Sequence, residues 1–377
     1  MTTLEVTANR LSQATFYLDV FGTCDETPSK QLQHIKSVFR RLAKIVHPDL
    51  YGDADEKKVA SAAFTQLQKL LEDAERAVKE GAYGQPLLYA SAKTRKGLHS
   101  LIHYVGSGDL CRLYATTSKV DGAELATVTK IAKQPKDKDL LQVEAGVLRA
   151  FREDGTDPSF HPYVPELVDS FVFSEKGKPR RQANVLVKLE GLQNLEQLLT
   201  NFPEGLDPLH MAWIWRRILF ALGFVHEQGV VHGALVPNHI MIQPEQHGVV
   251  LVDWCYASKL PQDEGEFPPI KAVVGAYRDW YPEEVLAKQA PSSATDIDMA
   301  ARCMVYAMGG NPVTGNLPER VPRRFRAFFK GCLLQKQSKR PQNAVQLLKE
   351  FDWLLKDMGK PYFPRKFRPL TIPTGVV

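Results

Sequence analysis

Residues 211–253 constrain the fold more than any other part of the chain. The run MAWIWRRILFALGFVHEQGVVHGALVPNHIMI reads as a long apolar helix ending near His226, followed by a loop. VVLVDWC then reads as a buried strand that ends on Asp253, and an acid in that position is costly without a partner. A segment of this kind needs a sizeable core around it. With 377 residues, 44% hydrophobic and 24% charged, the chain is long enough for two or three cores, so a globular protein of more than one domain is expected. The net charge of +5 is mild for this length, and nucleic acid is not an expected partner. Cys24, Cys111, Cys255, Cys303 and Cys332 are far apart and form no CxxC pair, which argues against a disulfide framework and a structural metal and for buried thiols. The N-terminal stretch MTTLEVTANRLSQATFYLDVF lacks a basic segment followed by an apolar core, and no uncharged run reaches the ~18 residues of a membrane span. No membrane partner and a cytoplasmic location are therefore expected.

Near the N-terminus, Thr27 followed by Pro28 signals a helix start, because the missing proline N–H costs nothing in a first turn. Ile35, Val38, Phe39, Leu42, Ile45 and Val46 then recur at helical spacing and give one apolar face. The opposite face carries Lys36, Arg40 and Lys44 with Arg41 beside them, and no acid lies between Lys30 and Val46. Pro48 ends this helix, which puts His47, Pro48 and Asp49 at a turn. A second amphipathic helix follows, with Ala63, Leu67, Leu70, Ala74 and Ala77 on one side, and ends at Gly81. Two antiparallel helices with a His-Pro-Asp tip resemble the J domain of DnaJ-like co-chaperones over about residues 14–83, on FYLDVFG, HIKSVFRRLAKIVHPD and AAFTQLQKLLEDAE. The resemblance implies a heat-shock ATPase chaperone as partner. It gives His47, Pro48 and Asp49 the role of triggering ATP hydrolysis, and Lys36, Arg40, Arg41 and Lys44 the contact with an acidic partner surface. No glycine/phenylalanine-rich segment and no CxxCxGxG repeat follows, so a client module of the DnaJ type is not expected.

YVGSGDLCRLYAT places Gly106 and Gly108 in a strand–turn–strand setting, and ELATVTKIAK is a β-rich run with Lys130 near its end. LLQVEAGVLRAF reads as an amphipathic helix with Glu144 fourteen residues after Lys130. Farther on come the 231–242 loop VHGALVPNHIMI, the strand ending in Asp253, GAYRDWYPEEV, a helix with Asp296, and SKRPQNAVQLL with Arg340. From about residue 100 to 355 this order and spacing resemble the protein-kinase fold. The resemblance implies ATP with magnesium as cofactor, with Gly106, Gly108, Lys130, Glu144 and Asp253 at the nucleotide, Asp253 also at the metal, Asp296 anchoring the loop backbone, and Arg340 paired with Glu283. Lys130 and Glu144 read equally well as a lobe-stabilising salt bridge.

The loop departs from the family pattern H-R-D-L-x-x-x-N. It carries His232, then Gly233, then Ala234 at the base position, Val236 where a lysine is usual and His239 at the asparagine position; Cys111 stands at the third glycine. A positioned general base contributes about 10²–10⁴-fold, so phosphoryl transfer should be slow at best and no catalytic residue is assigned. His239 reads as structural or as a metal ligand, although imidazole suits zinc better than magnesium. The tail GKPYFPRKFRPLTIPTGVV has four prolines and four cations and cannot be a long helix. It reads as an extended arm anchored by Tyr362, Phe363 and Phe367, or as a partner-binding arm.

The expected architecture is α+β and multidomain: a J-domain hairpin (1–83), a linker or approach strand (84–99), a two-lobed protein-kinase-like domain (100–355, lobes dividing near 190) and a basic proline-rich tail (356–377). The expected function is a co-chaperone whose catalytically impaired kinase-like domain, a pseudokinase, is a scaffold, targeting module or nucleotide sensor for a protein client or regulator. The alternative is a divergent active kinase or other ATP-dependent transferase carrying a J domain.

Overall fold

The computed structural model describes residues 3–14, 16–24, 27–84, 89–153, 155–175, 177–261 and 265–372. The chain divides into two compact units, residues 1–133 and 134–373. The first four strands thus group with the N-terminal helices.

The first unit opens with α1 (Thr3–Gln13) and α2 (Tyr17–Phe21), followed by the long helices α3 (Pro28–Val46) and α4 (Ala54–Lys79). Thr27 is extended and Pro28 occupies the first turn of α3, as the sequence signal requires. Pro48 stops α3 by holding His47 extended (φ −70°, ψ 125°), and Pro48–Leu50 form one 3-10 turn. Asp53 caps α4 by accepting from the backbone N–H groups of Asp55 and Glu56. Ile35, Leu42 and Val46 of α3 meet Ala63, Leu67, Leu70, Ala74 and Ala77 of α4 and Tyr17 and Phe21 of α2 in one core. Burying each such Leu or Ile contributes about 1.5–3 kcal/mol. Val38, Phe39 and Ile45, expected on the same face, lie at the core's edge and are only partly buried.

Residues 90–93 are strand, the second of the two readings of 84–99, while residues 85–88 lie outside the described residues. β1 (Ala90–Lys93), β2 (Gly97–Ser107), β3 (Cys111–Val120) and β4 (Ala123–Ala132) form an antiparallel meander. The β3–β4 connection is Asp121–Gly122, both at positive φ (50° and 82°), which suits a two-residue hairpin between strands of right-handed twist.

The second unit contains α5 (Lys138–Ala150), then the antiparallel pair β5 (Leu167–Phe173) and β6 (Arg181–Val187). β7 (Gln193–Asn194) leads into α6 (Leu195–Leu199), and α7 (Pro208–Glu227) is the long apolar helix. After β8 (Val230–Val231) come β9 (Ile240–Gln243), β10 (Gly248–Leu251) and β11 (Ser258–Lys259). They build a three-stranded sheet ordered β10-β9-β7 and the pair β11-β8. α8 (Glu283–Leu286), α9 (Ser293–Ala307), α10 (Arg323–Cys332) and α11 (Ala344–Met358) complete it. α7 is buried through Ile214, Trp215, Ile218, Leu219 and Leu222, with Trp215 edge-on to Phe329 at 5.2 Å. No helix among the described residues is long and apolar enough to cross a membrane.

Two expectations need correction. Arg340 pairs not with Glu283 but with Glu284, Nη1 to Oε1 at 2.6 Å; one residue of α8 turns the face by about 100°, so Glu284 is buried and Glu283 exposed. In the tail, Phe367 is 63% exposed but its ring packs on His247 at 4.3 Å, Phe363 is 38% exposed, and Leu370, not expected as an anchor, is buried and its N–H donates to the Pro244 carbonyl at 3.1 Å. Tyr362 does pack, edge-on to Phe325 at 5.1 Å. Pro373 lies outside the described residues.

Candidate nucleotide and metal site

The loop at 232–239 hangs from one buried carboxylate. Asp296, in the first turn of α9, accepts from the His232 N–H at 2.8 Å and the Gly233 N–H at 2.9 Å, and lies 3.0 Å from His226 Nε2. This is the anchoring expected from the sequence. Charge-assisted bonds of this kind are about twice as strong as neutral ones, which fixes where the loop begins.

Two histidines then hold the position of the missing base. His232 Nδ1 accepts from the Ala234 N–H at 3.3 Å, so the ring proton is on Nε2, which donates to the Val252 carbonyl at 3.0 Å. Burial pushes the His232 imidazole down to about 4, against the pull of Asp296, and the ring is neutral. His239 Nδ1 lies 2.8 Å from the Ala234 carbonyl, which can only accept, so that nitrogen carries the proton. His239 Nε2 then faces Asp253 Oδ2 at 3.4 Å. Ala234 is fully buried, held through both its amide groups, with a methyl where the family pattern has an acid.

Gly233 has φ +74°, and a Cβ there would lie 2.7 Å from the Tyr256 carbonyl oxygen and 3.0 Å from Ile270 Cδ1. Ile270, itself buried, occupies the space an arginine side chain would need. The segment carrying Ile270 is pinned along its length. Ser258 Oγ donates to the Pro268 carbonyl at 2.6 Å, Tyr281 accepts from the Val274 N–H at 3.0 Å, and Lys288 Nζ donates to the carbonyls of Ile270 and Lys271 at 2.9 and 3.0 Å.

Glu144 is buried on α5 and accepts from Asn184 Nδ2 at 2.9 Å; Asn184 also donates to the Leu141 carbonyl. A Glu144 carboxylate oxygen, an Asp253 oxygen and Cys255 Sγ lie within 4.8 Å of one another. Asp253 stands at φ +66°, a left-handed conformation that turns its side chain out of the strand direction. Asn184 and Cys255 were not singled out from the sequence. For Asn184 the signal was there, an amide in the apolar strand ANVLV; for Cys255 it was adjacency to Asp253. Gly106, Gly108 and Lys130 belong to the first unit. Gly106 pairs with Leu113 across β2–β3, the Gly108 N–H donates to the Cys111 carbonyl at 3.0 Å, and Lys130 is buried in β4.

The His-Pro-Asp tip is also in the first unit. The Asp49 N–H donates to His47 Nδ1 at 3.3 Å and the His47 ring stands edge-on to Phe64 at 4.8 Å. Lys36, Arg40, Arg41 and Lys44 are all exposed.

The profile of the family described as Protein kinase domain matches residues 99–358, more than half of the chain. The chain belongs to the protein kinase family. Among curated proteins it is similar to the serine/threonine-protein kinase stk11 homolog of Dictyostelium discoideum, 25% identical over 154 residues, which is 40% of this chain and 26% of that protein. It is also similar to the serine/threonine-protein kinase PAK mbt of Drosophila melanogaster, 23% identical over 216 residues (57% of this chain, 30% of that protein). A third is the probable serine/threonine-protein kinase fnkE of Dictyostelium discoideum, 19% identical over 252 residues (62% and 18%). The matches span less than a third of each relative's own length.

Kinase membership implies ATP with magnesium as cofactor. Glu144, buried on α5, suits the acidic member of a phosphate-holding pair, but the metal donors do not suit magnesium. That ion demands oxygen ligands in near-octahedral array. Here Asp253 faces an imidazole nitrogen, and the other donors near it are a Glu144 carboxylate oxygen and the Cys255 thiol.

Proposed function

We propose that this chain is a kinase-fold scaffold that has lost phosphoryl transfer, coupled through its N-terminal hairpin to a heat-shock ATPase chaperone. One observation carries the first half: Ala234, at the base position, is fully buried and locked by His232 and His239. A nearby acid would have to displace that packing to reach an incoming hydroxyl. The kinase fold then presents a surface for a protein client or regulator. Support for the chaperone half comes from the helical hairpin, the His47-Pro48-Asp49 tip and the exposed cations of α3.

Two assays on the full chain test this. With labelled ATP and generic protein substrates, transfer should not exceed that of a Lys130→Ala variant. With a purified heat-shock ATPase chaperone, the chain should accelerate ATP hydrolysis, and His47→Gln or Asp49→Asn should abolish the acceleration. Unchanged stimulation by either variant would sink the chaperone half. A second reading, a divergent active transferase, is favoured by the similarity to three serine/threonine-protein kinases. Robust transfer that disappears in Asp253→Ala would establish it in place of the first.

A further inference from the structure

We infer that the C-terminal tail and the helices beneath it form a binding site for single-stranded nucleic acid, in which a base stacks on Phe367 and cations of the tail hold the backbone phosphates. The mild net charge of the whole chain, +5, hides this because it averages over an uneven distribution. Residues 319–368 hold fourteen Lys and Arg against four Asp and Glu, a net charge of +10, so the remainder of the chain is net acidic.

Those residues pack together within the second unit. Phe325 of α10 lies 5.6 Å from Phe351 of α11 and edge-on at 5.1 Å to Tyr362 of the tail. Asp352 of α11 accepts from Arg365 of the tail at 2.9 Å and from Arg216 of α7 at 2.5 Å, one acid serving two arginines. Lys360, Lys366 and Arg368 are exposed and pair with no acid among the described residues. Between the first turns of α7, the end of α11 and the tail lies a recess of about 230 Å³, whose lining includes Trp213, Arg216, His247, Arg365, Lys366 and Phe367. Cations and aromatic rings thus share one concave surface.

Three of the rings are already stacked. Trp213 lies on His247 at 4.2 Å with 7° between the planes, and His247 meets Phe367 at 4.3 Å and 36°. The stack is held from both sides: His247 Nε2 donates to the Arg368 carbonyl at 2.6 Å, and Trp213 Nε1 donates to His210 Nδ1 at 3.3 Å. Phe367, the outermost ring, is 63% exposed, which leaves room for one more planar ring on the stack. A nucleobase of any identity supplies one, and its phosphates then fall among Lys366 and Arg368, the chain neighbours of Phe367. Aromatic platforms flanked by cations are the means by which proteins hold single strands without reading their sequence. A duplex keeps its bases inside and offers none to Phe367. An acidic peptide brings charge without a regular succession of planar rings, and a bilayer takes up apolar groups, whereas Phe367 stands between two cations and backs onto an imidazole.

The test is fluorescence anisotropy of the full chain with a fluorescein-labelled single-stranded oligonucleotide of about twelve nucleotides and mixed sequence. Binding should saturate and weaken with salt. Phe367→Ala should lower affinity at least about fivefold, the loss of one base stack, and Phe367→Trp should keep it. Lys366→Ala and Arg368→Ala should each flatten the slope of log affinity against log salt by about 0.7. Should Phe367→Ala melt early, the salt slopes of those two surface variants decide the matter. No binding by the native chain, full affinity in a folded Phe367→Ala variant, unchanged salt slopes, or equal affinity for the matching duplex would overturn the inference. Polyglutamate competing on equal terms would show a site for acidic protein, and phosphatidylserine vesicles that carry the chain in flotation and are not displaced by the oligonucleotide would show a membrane surface; either result overturns it too. None of these residues belongs to the 232–239 loop, so an active transferase found in the labelled-ATP assay would refute the proposed function without touching this result.

Discussion

Ala234 and its two histidines invite an obvious repair, and the burial shows why it should fail. Ala234→Asp would put a carboxylate into a space with no exposure and against groups already paired with each other. We expect no gain of transfer activity, together with a loss of stability of about 2 kcal/mol or more for an uncompensated buried polar group, read as a lower denaturant midpoint. His232 sets a pH dependence. Its unfolded value is near 6.5 and its folded value about 4, because burial disfavours the charged ring. Protonation therefore favours the unfolded chain. The contribution is fully present above about pH 6.5 and is lost as pH falls toward about 4, with a magnitude on the order of 3 kcal/mol. Urea midpoints followed from neutral to acid pH should fall more steeply for the native chain than for His232→Asn.

At the scale of elements, α8 offers a paired comparison. Arg340→Leu strands Glu284 without its partner in a buried site and should destabilise by about 3–5 kcal/mol. Glu283→Ala, on the exposed face one residue earlier, should change stability by less than about 0.5 kcal/mol; equal effects would reinstate the Glu283 pairing. Reversing charge at Arg40 and Lys44 of α3, both exposed, should likewise leave folding within about 0.5 kcal/mol per site, so that a loss of chaperone stimulation reads as a surface effect. Elements with strong periodicity were legible in the sequence: α3, α4, α7 and the strand before Asp253 all stand where apolar spacing put them. Contacts that depend on facing were not. Adjacent acids at 283 and 284 differ only in helix phase, Asn184 finds Glu144 from 40 positions away, and Leu370 anchors the tail because the chain returns to Pro244, a meeting no local pattern announces. Phe363 and Phe367 are larger, yet both stay partly in solvent, Phe367 with one ring contact to His247.

Across the whole molecule, five thiols form no disulfide. Cys111, Cys255, Cys303 and Cys332 are buried and Cys24 is half-buried. Burial drives the Cys303 and Cys332 thiols well above their ordinary range, which suppresses the reactive thiolate. Brief alkylation of the native chain should therefore label Cys24 first, with the remaining thiols reacting only after denaturant is added, and intact-mass spectra will count the adducts. The melting temperature should be the same with and without reductant.

The clamp of Ile270 on Gly233 reaches further than the loop it fills. Between Trp254 and Glu283 the chain has four hydroxyl side chains, Tyr256, Ser258, Tyr277 and Tyr281, and every one is buried. A modifying enzyme meets no exposed hydroxyl on that stretch, and Gly233 leaves no side chain in the arginine's place to read a phosphate if one were added. Control of this segment would have to come from something other than a phosphate written on one of its own hydroxyls.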